Sequence, residues 1–135
     1  MGRHELREQI FCLLFRVEFN SAEDMPEQVK LFFEDSEKDF SEKDMFFIKE
    51  KYEKIVQRLP ELDGLINDNT ENWDTTRIGK VELTVLRLAV YEMKFDDDVP
   101  VGVAIDEAVE IAKTYGQKNS GGFVNAILSK IAKLE

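Results

Sequence analysis

A chain of 135 residues with 43% hydrophobic side chains, seven glycines and three prolines is one globular domain, or two small bundles sharing a core, and can bury about two-thirds of its unfolded surface. No apolar run is long enough to span a membrane, the start is charged, and there is one cysteine and one histidine. A membrane span, a signal peptide, an internal disulfide and a Cys/His zinc site are therefore not expected, and a reducing cytoplasm is. The net charge of −10 is poor for binding a polyanion, so any nucleic-acid site must be a local patch of Lys and Arg.

The charge is uneven. Residues 21–75 carry seven basic and sixteen acidic groups, while residues 1–20 balance at three and three, and residues 76–95 carry four and two. Leu6, Ile10, Leu13, Leu14 and Val17 recur at helical spacing and predict a helix from about Arg3 to Phe19. Its other face carries Arg3 and Arg7, then Phe11 and Phe15. Ser21 to Asp24 reads as the capped start of a second helix that buries Met25, Val29, Phe32 and Phe33. Ser41 with Asp44 is a further cap signature. It opens a third helix burying Met45, Ile48, Tyr52, Ile55, Val56 and Leu59, which Pro60 ends or kinks. A short helix with Leu62, Leu65 and Ile66 follows. The polar stretch Asp68–Gly79 holds the only tryptophan, Trp73, and connects onward.

Val81–Met93, VELTVLRLAVYEM, is apolar nearly all round, which marks a buried helix. Glu82 and Arg87 are embedded in it and need partners. Arg87 is expected to pair with Glu107 or Glu110, and Glu82 to reach the surface. Asp96, Asp97 and Asp98 oppose a helix dipole at its C-terminus, so the helix must stop before them. Asp98 is the expected N-cap of a helix starting near Pro100 and burying Val101, Ala104, Ile105, Ala108, Ala112 and Tyr115, with Gly116 as its end. Asn119 or Ser120 caps a last helix burying Phe123, Val124, Ile127, Leu128 and Ile131. With no strand alternation and no repeat, the fold class is all-α with short connections.

The carboxylates lack the Glu-x-x-His pairs of a di-metal bundle, and solvated helix faces account for them. No phosphate loop follows a strand, so Gly121-Gly122 is expected at a close helix approach or an exposed helix start. Cys12 has no histidine at readable spacing and is assigned to packing. No catalytic residue, metal or cofactor is expected. Arg3, His4 and Arg7 stand out because cations at a helix N-terminus are disfavoured by the dipole, which an anionic partner would offset. On chemistry alone a frayed, solvated helix start is the better account of them. Lys113, Gln117, Lys118, Asn119 and Ser120 form a second weakly basic run at a helix–helix corner, which loop solvation also explains.

Several stretches resemble the NusB family of bacterial transcription antitermination factors. They are Arg7-Glu8 with Ile10-Phe11-x-Leu13-Leu14-Phe15; Trp73 with Arg77-Ile78; Val81-Glu82-x-x-Val85-Leu86-Arg87-Leu88-Ala89-Val90-Tyr91-Glu92; Val99-Pro100; Ala104-Ile105-Asp106-Glu107-Ala108-Val109-Glu110-Ile111-Ala112-Lys113; and Phe123-Val124-Asn125-x-Ile127-Leu128. Residues 20–70 match only in helical pattern. The resemblance implies a single all-helical domain of about seven helices over 1–135, in subdomains of about 1–72 and 73–135. It also implies pairing with the ribosomal protein NusE, binding of the boxA element of nascent rRNA transcripts, and action in the RNA polymerase antitermination complex, with no role for DNA or membrane. RNA contacts carry over to Arg3, His4, Arg7, Lys118, Asn119, Ser120 and Phe123, and partner contacts to Glu82 and Tyr91. The N-terminus holds fewer arginines than the family usually has, so the lone protein should bind RNA weakly and in a salt-sensitive way. A protein-interaction bundle without RNA binding, and a NusB-like domain of an rRNA methyltransferase, are the alternatives.

Overall fold

Every apolar stripe in the sequence closes into a helix. The computed structural model describes residues 1–71 and 75–134, and among them are seven α-helices and no strand: α1 Arg3–Phe15, α2 Met25–Glu34, α3 Glu42–Val56, α4 Leu59–Asp68, α5 Lys80–Phe95, α6 Val101–Tyr115 and α7 Ser120–Ala132. Trp73 lies outside the described residues. No described helix is long and apolar enough to cross a membrane.

The chain divides into two compact units, Met1–Gln57 and Arg58–Glu135. The division falls earlier than the expected boundary near residue 72, and within the second unit α4 packs on α5. In the first unit α1 packs on α3 around Ile10, Leu13, Leu14, Ile48 and Ile55, all at most 1% exposed. The first helix is shorter than its apolar period suggested. After Phe15 it tightens into a 3-10 turn over Arg16–Phe19, where the Asn20 side-chain amide donates to the Arg16 carbonyl at 2.8 Å. Such a bond satisfies a carbonyl that a continuing helix would have used. Ser21 forms a turn with Asp24 ahead of α2, which begins at Met25 with Pro26 in its first turn. Ser41 caps α3 as expected, its hydroxyl accepting the Asp44 N–H at 3.0 Å. Ser41→Ala should lower stability by about 1 kcal/mol in a urea titration, with the denaturant slope unchanged. Burial, then the neighbouring Glu53 carboxylate, raises the Tyr52 phenol above its ordinary value, so it stays neutral inside this core.

Pro60 starts α4 instead of kinking α3, because α3 has already ended at Val56 and Pro60 sits in the first turn, where its missing N–H costs nothing. In the second unit α5 contacts α4, α6 and α7. Eleven consecutive residues of α5, Leu83 to Met93, are buried, as its all-round apolar surface requires. Arg87 has Asp63 as an ion-pair partner, where Glu107 or Glu110 was expected. It faces α4, where Nε donates to Asp63 Oδ1 and Nη2 to Asp63 Oδ2, both at 2.8 Å, while Glu110 is solvated and only loosely near Lys113 at 3.9 Å. The helix stops at Phe95, before the three aspartates. Asp98 is not the cap of α6: Pro100 occupies the N-cap, and Asp98 is held back by its own N–H, which donates to Asp96 Oδ1 at 3.1 Å.

Candidate nucleic-acid interface

The N-terminal cations divide by depth. Arg3 and His4 are exposed, whereas Arg7, one turn on, is only 8% exposed. The reason is geometric: Arg7 lies one turn before Phe11, on a stripe that the unit covers down to 2% at Phe11. Arg7 therefore supports α1 more than it presents charge to solvent. His4 Nε2 lies 3.4 Å from Glu8 Oε1 along the helix, so the imidazole gains an ionic partner whenever it is protonated.

The second group lies in the second unit, at the corner between α6 and α7. Gly116 ends α6, its N–H donating to the Ala112 carbonyl at 2.8 Å. Its φ of −100° is open to any residue, so glycine is needed here for space: a Cβ would stand 2.5 Å from Ser120 Oγ. Lys118 and Asn119 are exposed, with Asn119 at the N-cap of α7. Ser120 is largely covered and its hydroxyl is engaged within the protein. It is 3% exposed, its hydroxyl accepts the Gln117 N–H at 2.8 Å, and it donates to Glu82 Oε1 at 2.8 Å. Gly121 makes the close helix approach expected of the glycine pair, with a Cβ placed 3.1 Å from Lys113 Cγ. Gly122 has open space.

Phe123, half-buried, is shared by two shallow cavities. One of about 200 Å³ is lined also by Arg77, Ile78, Gly79, Glu82, Gln117, Asn119 and Ser120. The other, of about 250 Å³, is lined by Asn69, Thr70, Glu71, Ala126, Ile127 and Lys130. The structure thus brings Asn119, Ser120 and Phe123 together and adds two cations that the sequence reading passed over, Arg77 and Lys130. Lys130 was legible in principle, since seven residues separate it from Phe123 on one helix face. Its pairing with the exposed Glu71 at 3.6 Å is a solvated contact that a stronger anion could displace. Arg77 had no such signal, because the turn that brings it to Phe123 is a matter of tertiary structure.

Of the two residues assigned to a protein partner, Tyr91 is 6% exposed and packs beside Phe95, with ring centroids 6.0 Å apart. The period-3.6 pattern around it is apolar on every side, and burial follows. Glu82 is half-buried with one oxygen committed to Ser120. Among the described residues no group of three or more His, Cys, Asp or Glu is arranged to hold a metal ion.

Comparison with known proteins shows what the chain is similar to. Residues 4–133 match the family model described as the NusB family. The chain is 45% identical over 132 residues to the transcription antitermination protein NusB of Agathobacter rectalis, covering 98% of this chain and 100% of that protein. It superposes on the structure of T. maritima NusB with a TM-score of 0.88 at 38% identity, covering 100% of this chain and 93% of the other. A chain from a crystal structure of the antitermination factors NusB and NusE in complex with double-stranded RNA matches with a TM-score of 0.84 at 27% identity over 100% of both.

Proposed function

Because the chain belongs to the NusB family, whose relatives are antitermination factors and not enzymes, we propose that it acts as an RNA-binding antitermination factor, pairs with NusE, and reads boxA in nascent rRNA transcripts within the RNA polymerase antitermination complex. One observation carries this reading: the whole-length match to a protein crystallised with NusE and RNA. In this proposal the exposed Arg3, His4 and Lys118 approach RNA phosphates, with Arg7 supporting α1 one turn after Arg3. Asn119 offers an amide to a base edge. Phe123 gives a stacking face, worth about 1–3 kcal/mol per base, and Arg77 and Lys130 flank it with positive charge. The partner meets the α5 side, through Glu82 more than through the covered Tyr91.

Filter binding of boxA RNA with and without NusE, across a salt series, tests the reading. Arg3→Ala with Lys118→Ala should weaken RNA binding about tenfold at low salt. It should also flatten the dependence of log K on log salt by roughly 1.4, since each phosphate contact on a single strand contributes about 0.7. Unchanged titrations would remove these residues from the site. The few basic residues at the N-terminus favour one second reading, a protein-interaction bundle that binds NusE alone; it predicts NusE binding with no RNA retained even at low salt.

A further inference from the structure

The acid at position 82 has a task on the RNA side of the molecule. We infer that Glu82 is a positioning residue, which holds the α6–α7 corner in the form that meets RNA. The inference rests on the RNA-binding reading above. The chain of contacts is continuous and lies within one unit. Glu82 Oε1 accepts from Ser120 Oγ at 2.8 Å, and Ser120 Oγ accepts the Gln117 N–H at 2.8 Å. One carboxylate on the first turn of α5 thereby fixes the first residue of α7 and, through it, the backbone of the loop carrying Lys118 and Asn119. The donor is 3% exposed, so water does not compete freely for this bond. Two glycines make room for it: a Cβ at Gly79 would stand 2.6 Å from Glu82 Oε2, and one at Gly116 would stand 2.5 Å from Ser120 Oγ. A larger side chain at either position would push the pair apart.

The sign of the effect separates positioning from simple electrostatics. Glu82 lines the same cavity as Asn119 and Phe123, so its negative charge repels an RNA held there. Removing that charge, with nothing else changed, must strengthen RNA binding. If Glu82 holds the corner, removing its acceptor must weaken binding despite the lost repulsion.

The test uses the full chain without NusE, so that partner contacts play no part, and a labelled single-stranded boxA RNA as probe. Glu82→Ala should weaken RNA binding at least fivefold with the salt slope unchanged, because no phosphate contact is lost. Glu82→Gln retains an acceptor oxygen for Ser120 and should restore binding to within twofold of the native protein or better. Ser120→Ala should weaken binding alone, and the double variant Glu82→Ala/Ser120→Ala should be no weaker than the worse single one. Amide exchange gives a readout independent of RNA: the Gln117 N–H should exchange at least tenfold faster in Glu82→Ala and Ser120→Ala, and at the native rate in Glu82→Gln. RNA binding as tight or tighter in Glu82→Ala, or unchanged Gln117 exchange, would overturn the inference. Faster Gln117 exchange in a protein that retains no RNA, with or without NusE, would leave the corner's support established and instead defeat the RNA-binding reading.

Discussion

Asp63→Ala should destabilise the protein by about 3–5 kcal/mol, lowering the melting temperature by roughly 10–20 °C. The magnitude follows from what would be left behind. The Arg87 side chain is 10% exposed and makes two bonds of 2.8 Å to the Asp63 carboxylate. Such a bidentate pair is short, planar and charge-assisted. Removing the carboxylate deletes two charge-assisted hydrogen bonds to a guanidinium that stays largely desolvated, and that cost exceeds what the pair contributes when intact. The double variant Asp63→Leu/Arg87→Leu removes both charges and should recover most of the loss, so the two sites should show a coupling of several kcal/mol in a double-mutant cycle. Guanidinium titrations of the native protein, the single variants Asp63→Leu and Arg87→Leu, and the double variant decide the matter. A single Asp63→Ala variant within about 1 kcal/mol of the native protein would mean that apolar packing alone holds α4 to α5.

The same pair shows where a sequence can be read and where it cannot. Helices were legible because their signals are local: the apolar stripe of α1, the Ser41–Asp44 cap, Gly116 at the end of α6 and the all-round apolar surface of α5 need only neighbours a turn away. That Arg87 must have a buried partner was legible too, since a charge among leucines cannot stand alone. Which partner was not, because Asp63 is 24 residues away on α4, and sequence spacing does not say whether a position on α5 faces α4 or α6. The candidate site divides in the same way. Lys118, Asn119 and Phe123 come to one corner because they are close in sequence. Ser120 sits among them as a polar residue with nothing local to mark it as buried, and its hydroxyl turns inward to a carboxylate 38 residues away. The charge of Arg7 points to the surface, but its stripe continues into Phe11, and the stripe decides its depth.

Leu86→Asp should abolish the folded state, the largest effect expected of any single substitution here. Leu86 is 0% exposed, in the middle of eleven consecutive buried residues, and its helix touches α4, α6 and α7. Losing the leucine side chain alone costs about 2–5 kcal/mol. A carboxylate in its place adds a desolvation cost of several kcal/mol. Together these match or exceed the 5–15 kcal/mol that holds a domain of this size together. Far-ultraviolet circular dichroism should show lost helicity and thermal melting no cooperative transition. The control is Val103→Asp on α6, the same kind of change at a site 42% exposed, which should stay within about 0.5 kcal/mol of the native protein. A native melt for Leu86→Asp would mean that α5 is not the core of its unit. Because α5 carries both Leu86 and Glu82, the comparison also separates two ways of losing RNA binding: Leu86→Asp should lose it together with the fold, and Glu82→Ala should weaken it in a protein that still melts cooperatively.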